Sequence, residues 1–256
     1  MVLKFPEYVY LADAAYSKES GVPILETITK KSKGIVNGND FEILEADRRY
    51  TVFQKKSTGD VVVSIKGTKL TNLFDLGDDA YIALGKESRI PRLKLLMKVV
   101  DKYKMQSLDV TVTGHSLGGL LASMVATHSG ILAVTFNNGS SPAHFLKSLK
   151  KSELEENETL SLQHEHVIHF TTTLDVVSSS AALGLEYDYK TYHVDAGVGS
   201  HSIESFYGID SDEYNTAIEE YSTRLKHVRE TNKSTDQYYT KKKRYPGGFV
   251  SDLKDR

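Results

Sequence analysis

Cysteine is absent from all 256 residues. Thiol catalysis, cysteine metal sites and disulfides are thereby excluded, and the redox compartment is left open. Long apolar runs are lacking as well. No stretch approaches the roughly 18 consecutive apolar residues that mark a membrane-spanning helix. The opening MVLKFPEYVYLADAAYS has no uninterrupted apolar core of the secretory-signal kind, because Pro6, Glu7 and Asp13 break it. Nor does charge of one sign dominate: the formal net charge is -2, so no overall field recruits nucleic acid or an anionic membrane. The expectation from these absences is a soluble, cytoplasmic, unexported protein with no nucleic-acid partner. What is present is ordinary for a soluble globular chain, at 39% hydrophobic and 26% charged residues, and the length suffices to bury a sizeable core.

Two periods alternate along the chain. Tyr8, Leu11, Ala12, Ala15 and Tyr16 recur at helical spacing near the start. Strands are predicted at FEILEA, RYTVFQK and DVVVSIKG, the last bounded by Gly59 and Gly67. After Pro91, a first-turn residue, Leu93, Leu96, Met97, Val100 and Tyr103 line one helical face. The strand VTVT follows, then a helix carrying Leu117, Leu120, Leu121, Met124 and Val125 that closes near Gly130. ILAVTF, HVIHFTT and KTYHVDA read as further strands, and Tyr214 to Val228 as the stripe of a late helix. Strands separated by helices predict an α/β fold, a mostly parallel central sheet flanked by helices. The main domain is expected over residues 1–230. Residues 231–256, polar and then basic (KKKR at 241–244), are expected as a tail or appended segment.

One stretch in this frame bears on chemistry. In VTVTGHSLGG, residues 110–119, Gly114 and Gly118 flank Ser116 two residues away on either side, giving G-x-S-x-G where a strand meets a helix. The small flanks let the serine adopt a strained turn, which raises its hydroxyl above the carboxyl end of the strand. The helix begins directly behind it, so its positive end and the Leu117 N–H face any charge that develops there. Such a serine is placed for nucleophilic attack on a carbonyl. The alternative is a glycine-rich turn with a purely structural role.

VTVTGHSLGGLLASMVA resembles the nucleophile elbow of the class 3 lipases, a branch of the α/β-hydrolase fold. ADAAYS resembles that family's opening helix, VVVSIKGT its F-R-G-T/S strand, and VTFNNGSSP the strand and turn after the nucleophile helix. The likeness spans roughly residues 8 to 205. The chain departs from the pattern in carrying Lys66 where arginine is usual, in lacking H-x-G-F, and in having LDVV followed by Ser178 in place of D-x-V-P. The resemblance implies a lipase-like serine ester hydrolase that needs no cofactor and no metal.

A serine hydroxyl needs a base to take its proton, and the base needs an orienting acid. Chain order in α/β-hydrolases is serine, then Asp or Glu, then His, so both partners follow residue 116. His201 lies in GVGSHSIESFY, a flexible loop beyond a strand end, and is the expected base. His193 lies within the strand before it and reads as a packed or edge residue, while His115 is expected to point away from the serine. Asp175 closes HVIHFTTTLD at another strand end and is the expected acid, ahead of Asp188 and Asp195 beside or inside the next strand. For the oxyanion hole, the Leu117 N–H supplies one donor, and the resemblance implies Thr68 as the second.

After Thr68 runs KLTNLFDLGDDAYIALGKESRI, which mixes Leu73, Phe74, Leu76, Tyr81, Ile82 and Leu84 with acidic residues. The resemblance implies a lid there that opens at a lipid surface; an ordinary packed helix fits the same pattern. QHEHVIH clusters three histidines, yet Ile168 stands where H-E-x-x-H needs its second histidine, and His164 and His166 share a strand face that His169 does not. No metal site is expected. The implied substrate is a lipid or small ester, with transient contact at a lipid surface. Two other readings stay open: a plain soluble carboxylesterase without interfacial activation, and a catalytically silent hydrolase-fold binding protein.

Overall fold

The computed structural model describes residues 2–17, 23–67, 91–138, 166–173, 190–195 and 201–234. Among the described residues, seven strands form one sheet in the order β1-β2-β3-β4-β5-β6-β7. They are β1 (Phe41–Asp47), β2 (Tyr50–Lys55), β3 (Val61–Ile65), β4 (Val110–His115), β5 (Leu132–Phe136), β6 (Val167–Thr172) and β7 (Lys190–Val194). β1, β2 and β3 pair antiparallel, and β3 to β7 pair parallel throughout. Each predicted strand falls on one of these. The helices are α1 (Phe5–Ala14), α2 (Ile24–Lys31), α3 (Pro91–Lys104), α4 (Leu117–Ser129) and α5 (Asp212–Ser234). The expected division at residue 230 falls inside α5, and KKKR lies outside the described residues. No helix among the described residues is long and apolar enough to cross a membrane.

Strands β3 to β6 are rich in apolar and β-branched residues because both faces of the sheet are buried there. Val61, Val63 and Ile65 of β3, with Val110 and Val112 of β4, pack on Leu93, Leu96 and Val100 of α3 and Leu121 and Val125 of α4. Straight strand order with right-handed crossovers brings α3 and α4 to this one face. Val62, Val134, Phe136, Ile168 and Phe170 project to the other face, against α1 and Ile218 and Leu225 of α5. There the packing is aromatic: Phe5 meets Phe170 at 4.7 Å and Phe136 at 5.7 Å between centroids, edge to face. A mostly parallel central sheet between two helical layers, entered through a strand–serine–helix turn, is the α/β-hydrolase architecture.

α1 is buried along almost its whole length, so few of its polar groups reach water. Phe5 N–H donates to Asn215 Oδ1 on α5 (2.8 Å), and Tyr8 Oη donates to Thr111 Oγ1 on β4 (3.1 Å). These contacts seat α1 across β3 and β4. Two residues beyond its end, Tyr16 arrives at the carboxyl edge of the sheet.

Candidate active site

The turn at the end of β4 is built from close backbone approach. A Cβ on Gly114 would lie 2.4 Å from the Gly118 carbonyl oxygen, and one on Gly118 would lie 2.3 Å from that of Ile65. Only hydrogen fits at either place. Between them Ser116 takes φ 57° and ψ -130°, a region that side-chain-bearing residues rarely enter. Its N–H donates to Phe136 O (3.1 Å), which fixes the strained residue to β5. Serine at the start of a helix ordinarily caps it with its side chain. Here Ser116 makes no such bond, and its hydroxyl faces elsewhere.

It faces His201. His201 Nε2 lies 2.8 Å from Ser116 Oγ, although the two residues are 85 positions apart. His201 is seated by the turn that follows it. Ser202 Oγ accepts from Glu204 N–H (3.2 Å) and opens a 3₁₀ turn, Ile203–Phe206. Ile203 and Phe206 of that turn are buried, Phe206 against Phe136 at 5.2 Å. Ser116 itself is 2% exposed and His201 half-buried.

His115, expected to point away from Ser116, does not occupy an inert packing site. Its Nε2 lies 2.6 Å from the backbone carbonyl of His201, and the two rings stand 5.0 Å apart. Tyr16 closes the other side. Its hydroxyl is 3.3 Å from His115 Nδ1, donates to His115 O at 3.1 Å and accepts from Gly67 N–H at 3.0 Å. Burial pushes the Tyr16 phenol up to about 12, so it stays a neutral donor. Neither His115 nor Tyr16 was singled out for the site in the sequence. The signal available for Tyr16 was the ADAAYS likeness; His115 had only its place beside the serine.

The remaining expected positions divide as follows. Leu117 is the first residue of α4, where backbone N–H groups have no partner within the helix. Gly67, just before Thr68, packs on the elbow so tightly that a Cβ there would meet His115 O at 2.7 Å. Thr68 and Asp175 lie outside the described residues, as do Asp188 and the segment 69–90 expected as a lid. β6, which leads toward Asp175, is tied to β5 by Asn137, whose buried Oδ1 accepts from Thr172 N–H (2.9 Å). Asn137 adopts φ 41°, which asparagine tolerates better than most residues. His193 is exposed on β7, and Asp195 is exposed just beyond it. His169 is buried and meets Thr135 Oγ1 through Nδ1 at 3.0 Å. His164 is outside the described residues, among which no three metal-ligating side chains converge.

Residues 7–181, more than half of the chain, match the Phospholipase-like family described as the Tle-like phospholipase domain. The chain belongs to that family. It is also 36% identical over 85 residues to ATG15 of Candida albicans and 33% identical over 100 residues to ATG15 of Lodderomyces elongisporus, both of which carry lipase names. The matched stretches cover 33% and 36% of this chain, but only 14% and 17% of those relatives. In three dimensions, two variants of the esterase rPPE overlap 86% of this chain and 96% of their own, at TM-scores of 0.36 and 0.35 and 11% and 12% identity. Likeness at that score carries no argument about chemistry.

Proposed function

We propose that this chain is a serine ester hydrolase acting on lipid acyl esters, of triacylglycerol lipase or phospholipase type, with Ser116 as nucleophile and His201 as base. The observation that carries the reading is the 2.8 Å approach of His201 Nε2 to Ser116 Oγ, with the serine held at positive φ and not used as a cap. Membership of a phospholipase-like family and the lipase names of the fungal relatives support the lipid substrate. The elbow's likeness to class 3 lipases supports a kinship with that branch.

In this reading the neutral His201 Nε2 accepts the Ser116 proton as Oγ attacks the acyl carbonyl carbon. Charge moves onto the carbonyl oxygen, where the Leu117 N–H, the positive end of α4 and a donor from Thr68 stabilise it. Asp175 holds the protonated Nδ1 of His201. The tetrahedral intermediate collapses, the alcohol leaves with the proton carried by His201, and an acyl-Ser116 ester remains. Water, deprotonated by His201, then releases the fatty acid and restores the serine. Burial of Ser116 supports a closed resting state that opens in transient contact with a lipid surface.

The test is Ser116→Ala, assayed on a short p-nitrophenyl ester and on emulsified triacylglycerol and phospholipid. The variant should fold as the parent does and lose about 10⁶ in kcat, the cost typical of such a serine. Turnover above roughly a thousandth of the parent's would overturn the assignment. A parent protein inert on every ester would point to a silent binding module.

A further inference from the structure

We propose that His115 positions the general base: its Nε2–H, donated to the backbone carbonyl of His201, holds that residue's imidazole at Ser116, and Tyr16 braces His115 from the other side. The inference rests on the reading of Ser116 and His201 given above, and adds the means by which the base is held.

The tautomer follows from the partners. A backbone carbonyl only accepts, so the 2.6 Å contact between His115 Nε2 and His201 O requires the proton to sit on Nε2. Nδ1 of the neutral ring is then an acceptor, and the Tyr16 hydroxyl stands 3.3 Å from it. That hydroxyl has one proton and two acceptors within reach, His115 Nδ1 and His115 O, while its oxygen accepts from Gly67 N–H. In the neutral ring the carbonyl contact places the proton on Nε2 and leaves Nδ1 as an acceptor facing the Tyr16 hydroxyl. The phenol's high pKa keeps the donor in place across neutral pH.

Geometry gives the contact its consequence. His115 immediately precedes Ser116, so its backbone helps set the nucleophile while its ring reaches the base. The two catalytic groups come from loops 85 positions apart, and this bond joins them a second time, through main chain. His115 is only 8% exposed, so water competes weakly for the His201 carbonyl. Freed from that bond, the His201 backbone can shift, and a displacement near 1 Å from a productive geometry costs up to about 10²-fold in rate.

The experiment compares His115→Gln, His115→Asn and His115→Leu in the full chain. The glutamine amide reaches where Nε2 stood and can donate to His201 O; the asparagine amide reaches only the Nδ1 position. On a soluble p-nitrophenyl ester, Asn and Leu should lower kcat about 10- to 100-fold with KM within about twofold, and Gln should restore kcat to within about fivefold of the parent. Amide exchange in the peptide covering residues 201–206 should quicken in Asn and Leu, and not in Gln. Equal loss in Gln and Asn, no loss in Asn, or exchange unchanged across the series would each overturn the proposal. Should Leu fail to fold, the Gln and Asn pair decides alone. If the parent shows no esterase activity, the serine-hydrolase reading has failed, and the exchange measurement still decides whether His115 holds the His201 backbone.

Discussion

The two sides of Ser116 are held by different means. Toward its own strand and helix, backbone meets backbone: Gly114, Gly118 and the Ile65 carbonyl leave no room for a single added carbon. Toward His201, the contacts are side-chain hydrogen bonds through His115, Tyr16 and the serine itself. The first kind of support is steric, insensitive to protonation and written into adjacent residues. The second is chemical, depends on which nitrogen carries a proton, and joins residues far apart in sequence. On the proposed mechanism, rigidity on one side lets the other side carry the proton transfers.

Breaking the chemical side should cost activity and little stability. His201→Ala is expected to lose about as much turnover as Ser116→Ala, near 10⁶ in kcat, with an unfolding midpoint close to the parent's; steady-state kinetics and denaturant titration check the pair. Breaking the steric side should do the opposite at first. Gly118→Ala places a carbon 2.3 Å from a backbone oxygen, and should destabilise the fold by about 2–4 kcal/mol. Urea unfolding reads this directly, and an unchanged midpoint would show that the elbow has slack.

A gentler probe is alkaline pH. Burial raises Tyr16 to about 12 and lifts Tyr8 and Tyr207 well above the ordinary tyrosine range. Unfolded tyrosines ionise near 10, so above that pH the unfolded state sheds protons before the folded one. Stability should be full below about pH 10 and fall as pH rises toward 12. Tyr8→Phe should flatten that fall when unfolding midpoints are compared at pH 8, 10 and 11. A slope unaltered by the substitution would place the linkage on other groups.

Much of this architecture was legible from residue order. β-branched and apolar runs located β3 to β6, since strands buried on both faces are rich in such residues. G-x-S-x-G located the elbow, because the steric demand falls on adjacent positions. His201 was legible from chain order and its place past a strand end, and the structure brings it to Ser116. The role of His115 was not. A histidine beside Ser116 reads as pointing away, and the carbonyl it meets belongs to a loop 86 residues later, which no local pattern specifies. Tyr16 was visible as a helix-spaced aromatic and in the ADAAYS likeness, yet its three polar contacts depend on how α1 lies across β3 and β4. Asp175 and Thr68 retain the standing of proposals drawn from order and likeness.

The central claim is that Ser116 is a nucleophile activated by His201. The most direct measurement is covalent capture: incubation with an alkyl phosphonate ester, proteolysis, and mass mapping of the adduct. The account predicts one adduct, on Ser116, formed fast in the parent and slowly or not at all in His201→Ala. An adduct on another residue, or equal labelling of Ser116 with and without His201, would contradict it.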